Sequence, residues 1–325
     1  MDASDVARAL PMGALVAALR AQFARGAEVP PRQVLALAPE GSGLPAVTSL
    51  VMPAWQPGRY YAVKVINIAP GNAARGLPGL HASVLLHDAA TGVPLALMDG
   101  NEITARRTAA ASALAASCIA PADAGDLLVV GAGRVAALLP AAYAAVRPLR
   151  RVRVWARRAD AARALVDRWR AEGMASAEAV PPGGLAAAVA AADVVSCATL
   201  ATEPVVQGAW LRAGTHLDLI GSFTPAMREA DDACFAHAAL YVDTEEALAK
   251  SGELLGPMSR GVFAPDAVLG TLADLVAHTA RPRPPGAHHT VFKSVGTALE
   301  DLAAAVLVWE NRDVRRGGHP AQCTP

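Results

Sequence analysis

Two hydrophobic rhythms divide the chain. In its first third, short extended runs are punctuated by turn residues. Residues 47–52, 60–68 and 83–87 read as strands, and Ala89-Ala90-Thr91-Gly92 reads as a turn into a further strand over 94–100. A meander of this kind predicts a β-rich domain with helices at its edges. From Asp126 the rhythm changes to short apolar runs at 127–130, 152–155, 194–198, 216–220 and 240–242, with helical stretches at 135–146, 160–170 and 184–191. The first three of these runs show little polar alternation, which suits a parallel sheet covered on both faces. Strands alternating with helices predict a doubly wound α/β domain. After a proline-rich loop at 281–286, residues 290–295 read as a strand and 297–311 as a long helix, a tail that the pattern alone assigns to neither domain. Residues 1–19 read as an amphipathic helix and the alanine-rich run 108–121 as a packed core helix.

Composition narrows the function. The 325 residues carry 29 basic and 29 acidic side chains, a formal net charge of zero, which argues against nucleic-acid and membrane-surface partners. Residues 1–19 lack the long apolar core of a signal peptide, and no apolar stretch reads as a membrane span, so the expected compartment is the cytoplasm. Cys118, Cys197, Cys234 and Cys323 are scattered and read as reduced thiols rather than a zinc or disulfide framework. His81 and His87 could face a site, His288-His289 read as solvent-exposed, and the run Glu229-Ala230-Asp231-Asp232 reads as a solvated helix start. With no metal-ligand spacing among them, no metal is expected.

The chemistry begins after the strand at 127–130, where Gly131-Ala132-Gly133-Arg134-Val135-Ala136 leads into a helical stretch. This is G-x-G-x-x-A in a strand–turn–helix setting. The first glycine allows the tight turn, the second lets backbone approach a pyrophosphate, and the small sixth residue lets helix pack on strand. At the end of the next strand, where an NAD enzyme often carries an acid for the ribose hydroxyls, the chain reads Ala156-Arg157-Arg158. Arginine pairs with a 2′-phosphate that an acid would repel. The expected cofactor is therefore NADP(H), with NAD(H) as the alternative.

A set of blocks then resembles the ornithine cyclodeaminase / mu-crystallin family over about residues 20–316. They are Met52-Pro53, Val63-Lys64-Val65 followed by Asn72, Thr91-Gly92-Val93-Pro94-Leu95-Ala96, and the run from Asp99-Gly100-Asn101-Glu102 through Arg107-Thr108-Ala109-Ala110. Further on come Thr199-Leu200-Ala201-Thr202-Glu203-Pro204, Gly252-Glu253-Leu254, Thr290-Val291-Phe292-Lys293-Ser294 and Glu300-Asp301-Leu302. The family includes ornithine and lysine cyclodeaminases, archaeal-type alanine dehydrogenases, reductases of cyclic imino acids and opine-type dehydrogenases. The resemblance implies a Rossmann domain, placed at 119–290, and a β-rich substrate-binding and dimerisation domain, placed at 1–118 with 291–325. It also implies a homodimer and a small α-amino or α-imino acid substrate.

By the same resemblance the substrate pocket maps onto Arg32, Lys64 and Arg107. The residue types suit those roles. Arginine grips a carboxylate through a planar fork. A lysine whose pKa is pushed down by burial and like charge can move a proton at the substrate nitrogen. The resemblance further places Thr108, Thr199, Leu200, Ser222, Ser294 and Gly296 around the cofactor, beside Gly131, Gly133, Arg134, Val135, Arg157 and Arg158. Two departures stand out. Arg134-Val135 replaces the small residue and glutamine of many members, and Ser222 stands where cyclodeaminases carry an aspartate. Serine cannot act as a general base near neutral pH. The leading reading is therefore a reductase of an imino acid, or amino-acid dehydrogenase. A cyclodeaminase that releases ammonia and a non-catalytic cofactor-binding protein of the mu-crystallin type are the alternatives.

Overall fold

In the computed structural model, which describes residues 1–38, 43 and 45–312, the chain divides into two units. One is Met1–Arg107 with the chain from Thr297 onward, and the other is Thr108–Gly296.

In the first unit the helices α1 (Ala3–Ala9) and α2 (Met12–Arg25) precede a five-stranded sheet. A single amphipathic helix over 1–19 is not what forms. Pro11 has no amide donor and disfavours helical geometry at Leu10, so the chain breaks there. The strands β1 (Gln33–Ala36), β2 (Thr48–Gln56), β3 (Tyr60–Ile68), β4 (Leu80–Asp88) and β5 (Pro94–Asp99) run in that order, every neighbour antiparallel. Strand alternation gives the sheet two faces. Ala62, Lys64 and Ile66 of β3 are buried, as are Met52 and Ala54 of β2, on the face covered by the C-terminal helix. Tyr61, Val63 and Val65 point the other way and are half-buried. From β5 the chain passes straight into α3 (Gly100–Ile119). The boundary between units falls inside this unbroken helix, at Arg107/Thr108, and not at residue 118.

The second unit is an eight-stranded parallel sheet: β6 (Asp126–Val130), β7 (Arg151–Trp155), β8 (Ala177–Ala179), β9 (Val194–Cys197), β10 (His216–Leu219), β11 (Ala238–Val242), β12 (Val268–Thr271) and β13 (His289–Lys293). Their spatial order is β12-β11-β13-β10-β9-β6-β7-β8. Helices α4 (Leu139–Ala144), α5 (Ala159–Ala171), α6 (Leu185–Ala191), α7 (Glu246–Lys250), α8 (Gly252–Ser259) and α9 (Leu272–Ala277) connect them. The chain runs outward from β6 through β7 to β8, then returns to the other side of β6 at β9. That reversal creates the crevice at the strands' carboxyl ends that doubly wound folds use for ligands. β13 lies between β10 and β11, so the last strand belongs to this sheet and not to the first unit. Only the helix after it, α10 (Ala298–Asn311), belongs to the first unit.

The helix expected over 135–146 is also shorter than its pattern. A 3₁₀ turn at Ala136–Leu138 precedes α4, because Pro140 cannot donate to the carbonyl four residues back and tolerates only the first turn of a helix. Cys118, Cys197 and Cys234 are free thiols, and Cys323 lies outside the described residues. Among the described residues no helix is long and apolar enough to cross a membrane.

Candidate active site

The first unit concentrates four charged side chains in its interior. Lys64 is drawn inward by the alternation of β3 and is only 1 % exposed. Its Nζ lies 2.5 Å from Asp301 Oδ2. Arg107, from α3, donates from Nε to Asp301 Oδ1 at 3.0 Å and from Nη1 to Glu300 Oε2 at 2.7 Å. Glu300 and Asp301 arrive together on the first turn of α10, capped by Thr297. Acidic residues at a helix N-terminus also suit its dipole. Burial drives the Lys64 pKa down to about 8, with Arg107 pushing the same way and Asp301 opposing both. For Asp301 burial favours the neutral acid, but Lys64 and Arg107 outweigh it and hold the carboxyl below its ordinary range. Among the described residues Nη2 of Arg107 has no hydrogen-bond partner, so one edge of the guanidinium is uncommitted. Arg32 is half-buried at the residue before β1.

The second unit holds a cleft of about 450 Å³ at the carboxyl ends of β6, β7 and β9. Gly131, Ala132 and Gly133 form one wall, Trp155 to Arg158 a second, and Ala198 to Ala201 with Val205 a third. Gly131 adopts φ +121°, and a Cβ on it would stand 2.5 Å from the carbonyl oxygen of Ala198, so only glycine fits. A Cβ on Gly133 would meet nothing, leaving its backbone open to the cleft. Arg134 is exposed and Val135 half-buried in the turn that follows. Arg157 and Arg158 are exposed, and among the described residues no carboxylate lines the cleft. Trp155 is held in place by a 3.2 Å bond from Nε1 to the carbonyl of Pro182.

Behind the third wall lies a buried polar layer. Glu229 and Glu253 are both 0 % exposed, which corrects the expectation of a solvated acidic run at 229–232. Asp231 and Asp232 are half-buried: Asp231 caps a 3₁₀ turn, and Asp232 pairs with Arg228 and Arg260. Ser222, also fully buried, lies 3.0 Å from Glu253 Oε2 and 3.1 Å from Ser251 Oγ. An aspartate at 222 would set a second carboxylate against Glu253. Asp218, four residues earlier, is no substitute, because Ser112, Tyr143 and Ser196 all donate to it. Ser294 Oγ and the amides of Val295 and Gly296 converge on a single oxygen of buried Asp243, at 3.0, 2.8 and 2.6 Å.

Other expected positions resolve simply. Thr108 follows Arg107 on α3 and is half-buried. Leu200 lines the cleft and is 72 % exposed. His289 is buried with Nε2 2.7 Å from the carbonyl of Cys234, so of the pair expected in solvent only His288 is there. His87 stacks on Tyr61 with ring centroids 5.4 Å apart, on the sheet face opposite Lys64. Sequence reasoning gave no role to Glu300, Asp301, Glu229 or Glu253. For the first pair the signal was available: two acids opening an apolar helix, in a protein with three cations, Arg32, Lys64 and Arg107, assigned to the same domain.

A dinucleotide-binding α/β unit joined to an antiparallel unit with a buried cation–carboxylate cluster defines a class, and the chain's relatives define it further. A model of the ornithine cyclodeaminase/mu-crystallin family matches residues 2–315, and the chain belongs to that family. Delta(1)-pyrroline-2-carboxylate reductase of Paracoccus denitrificans is 46 % identical over 267 residues, which cover 81 % of this chain and 83 % of that one. The structure of Thermococcus litoralis Delta(1)-pyrroline-2-carboxylate reductase in complex with NADH and L-proline matches with a TM-score of 0.87 and 32 % identity over 96 % of both chains. An archaeal alanine dehydrogenase dimer with bound NAD matches with a TM-score of 0.86 and 29 % identity, covering 98 % of this chain and 97 % of that one.

Proposed function

We propose that this protein is a nicotinamide-dependent reductase of small cyclic α-imino acids, of the Delta(1)-pyrroline-2-carboxylate reductase kind, able to run in reverse as an amino-acid dehydrogenase. The observation that carries the reading is the buried Lys64–Asp301–Arg107–Glu300 cluster, in which a lysine of pKa about 8 stands beside an arginine with a free edge. Arg107 offers that edge to the substrate carboxylate, and a charge-assisted pair of this kind orients as well as binds. Lys64 is poised to give a proton to the substrate nitrogen during reduction and to take one during oxidation, since its pKa lies close to working pH. Asp301 keeps Lys64 protonated in spite of its burial, while Glu300 and Asp301 together fix the plane of the Arg107 guanidinium. Arg32 completes the substrate pocket in this reading. The bound nicotinamide supplies the hydride.

The second unit fits that cofactor. The open backbone at Gly133 leaves room for a pyrophosphate, and the exposed apolar side chain of Leu200 offers a surface for the dinucleotide to cover. Arg157 and Arg158, in a cleft with no carboxylate among its described lining residues, favour a 2′-phosphate and therefore NADP(H) over NAD(H). Arg157→Ala should weaken NADPH by on the order of 1.5–3 kcal/mol and leave NADH nearly unchanged, as measured by titration of the purified protein. Equal weakening of both, or a wild-type preference for NADH, removes the NADP(H) assignment. The ornithine-cyclising alternative loses ground at Ser222, which is no carboxylate and whose hydroxyl is committed to Glu253 and Ser251. We place a homodimer contact on the outer face of the antiparallel sheet, where Val63, Leu85 and Leu97 align across β3, β4 and β5 and Leu97 is 60 % exposed. Oxidation of NADPH on addition of a cyclic imino acid tests the whole reading.

A further inference from the structure

The third wall of the cleft comes from one segment, lined by Ala198 to Ala201 at its start and Val205 at its end, and a single residue outside it holds both ends. At the near end, Glu229 Oε1 accepts from the amide of Thr199 at 2.7 Å and from its hydroxyl at 2.8 Å. Oε2 accepts from the amide of Gly221 at 2.7 Å, tying the end of β10 to the same carboxylate. At the far end, the carbonyl of Glu229 accepts from the amides of Val205 and Val206 at 2.8 and 2.9 Å. Space around the carboxylate is tight: a Cβ on Gly221 would run into both Glu229 Oε1 and the backbone of Thr199. Glu229 is held in turn. Glu253 accepts from the amides of Glu229 and Ala230 at 2.7 and 2.9 Å, and Ser251 caps the helix that carries it.

We propose that Glu229 is a positioning residue for cofactor binding, a brace whose side chain and carbonyl set the two ends of the cleft wall at 199–205, with Glu253 fixing the brace. The inference rests on reading that cleft as the dinucleotide site. Three donors converge on two carboxylate oxygens, so the site demands an acceptor at both positions. Glutamine preserves the shape and supplies one acceptor, but its amide must turn an N–H toward a backbone N–H. Whichever way the amide turns, the backbone N–H of Thr199 or of Gly221 is left facing a donor. The substrate cluster in the first unit contains no member of this brace.

The test is calorimetric titration of NADPH and NADH into the full-length wild type, Glu229→Gln, Thr199→Val and the double variant. Melting temperatures and the KM for a cyclic imino acid are measured alongside. Glu229→Gln should raise the dinucleotide Kd about tenfold or more, because one of the two acceptors that Thr199 and Gly221 require is lost. Thr199→Val should raise it by roughly threefold, as expected for one hydroxyl donor. Because both variants act on the same contact, the double variant should bind no worse than Glu229→Gln, and the imino-acid KM should stay within about twofold. Unchanged Kd in Glu229→Gln overturns the proposal, as do fully additive losses or an imino-acid KM that rises as much as the dinucleotide Kd. If Glu229→Gln does not fold, Thr199→Val decides, and an unchanged Kd there is equally fatal. Wild-type protein that binds neither dinucleotide overturns the cofactor reading itself, an outcome distinct from all of these.

Discussion

Lys64→Met should lower turnover by roughly 10²–10⁴, the usual contribution of a positioned acid or base, while leaving folding and cofactor binding intact. The expectation follows from where Lys64 sits. It is buried on the inner face of β3, and methionine fills much the same volume without a charge. Asp301 keeps Arg107 as a partner, so no buried charge is stranded by the change. The pH profile gives an independent check. Reduction needs protonated Lys64, so its kcat/KM should be level at lower pH and fall as pH rises through about 8. Oxidation needs the free amine and should rise through the same value. Near-normal turnover in Lys64→Met would reduce Lys64 to a packing residue and leave Arg107 as the main substrate contact.

Asp301→Asn should be the most destabilising single change in the substrate cluster, costing about 3–5 kcal/mol in a denaturation experiment, because it strips a buried pair of its anion. Asp301 faces both Lys64 and Arg107, and its loss leaves two buried cations with Glu300 bonded to the second. Lys64 then loses the influence that keeps it charged, and its pKa should fall further below about 8. Between that lowered value and the ordinary lysine pKa the unfolded chain binds more protons than the folded one, so stability of the variant should recover as pH rises across the interval. Reduction should meanwhile lose its optimum toward lower pH. A variant as stable as wild type, with an unmoved pH profile, would show that the cluster is not an electrostatic unit.

Much of this is legible in the amino-acid sequence. Alternation in β3 and its neighbours marks the antiparallel sheet, and the glycine turn after β6 marks the cleft, because both signals are local in sequence. What fails to show is mostly non-local. Glu229 sits in an acidic run that looks solvated, yet its donors come from Thr199 and Gly221, thirty and eight residues away. Polarity along the chain carries no record of such convergence. Glu300 and Asp301 open an apolar helix, but only the packing of α10 on β2 and β3 brings them to Lys64. Short edge elements such as β8 and β12 lack enough residues to establish a period. One miss had a local signature: Thr271 and Asp274 form a reciprocal capping box at the start of α9, a spacing visible in Thr271-Leu272-Ala273-Asp274.

Reduction of a cyclic imino acid at the expense of a nicotinamide cofactor is the central claim. Its most direct test is to mix purified protein with Delta(1)-pyrroline-2-carboxylate and NADPH near neutral pH, follow absorbance loss and proline formation, and run ornithine with NAD in parallel while measuring ammonia. Stoichiometric conversion of imine and NADPH to proline is expected, with little or no ammonia from ornithine. Ammonia release from ornithine at an enzymatic rate without net cofactor turnover, or no reaction with any cyclic imino acid and either cofactor, would contradict it.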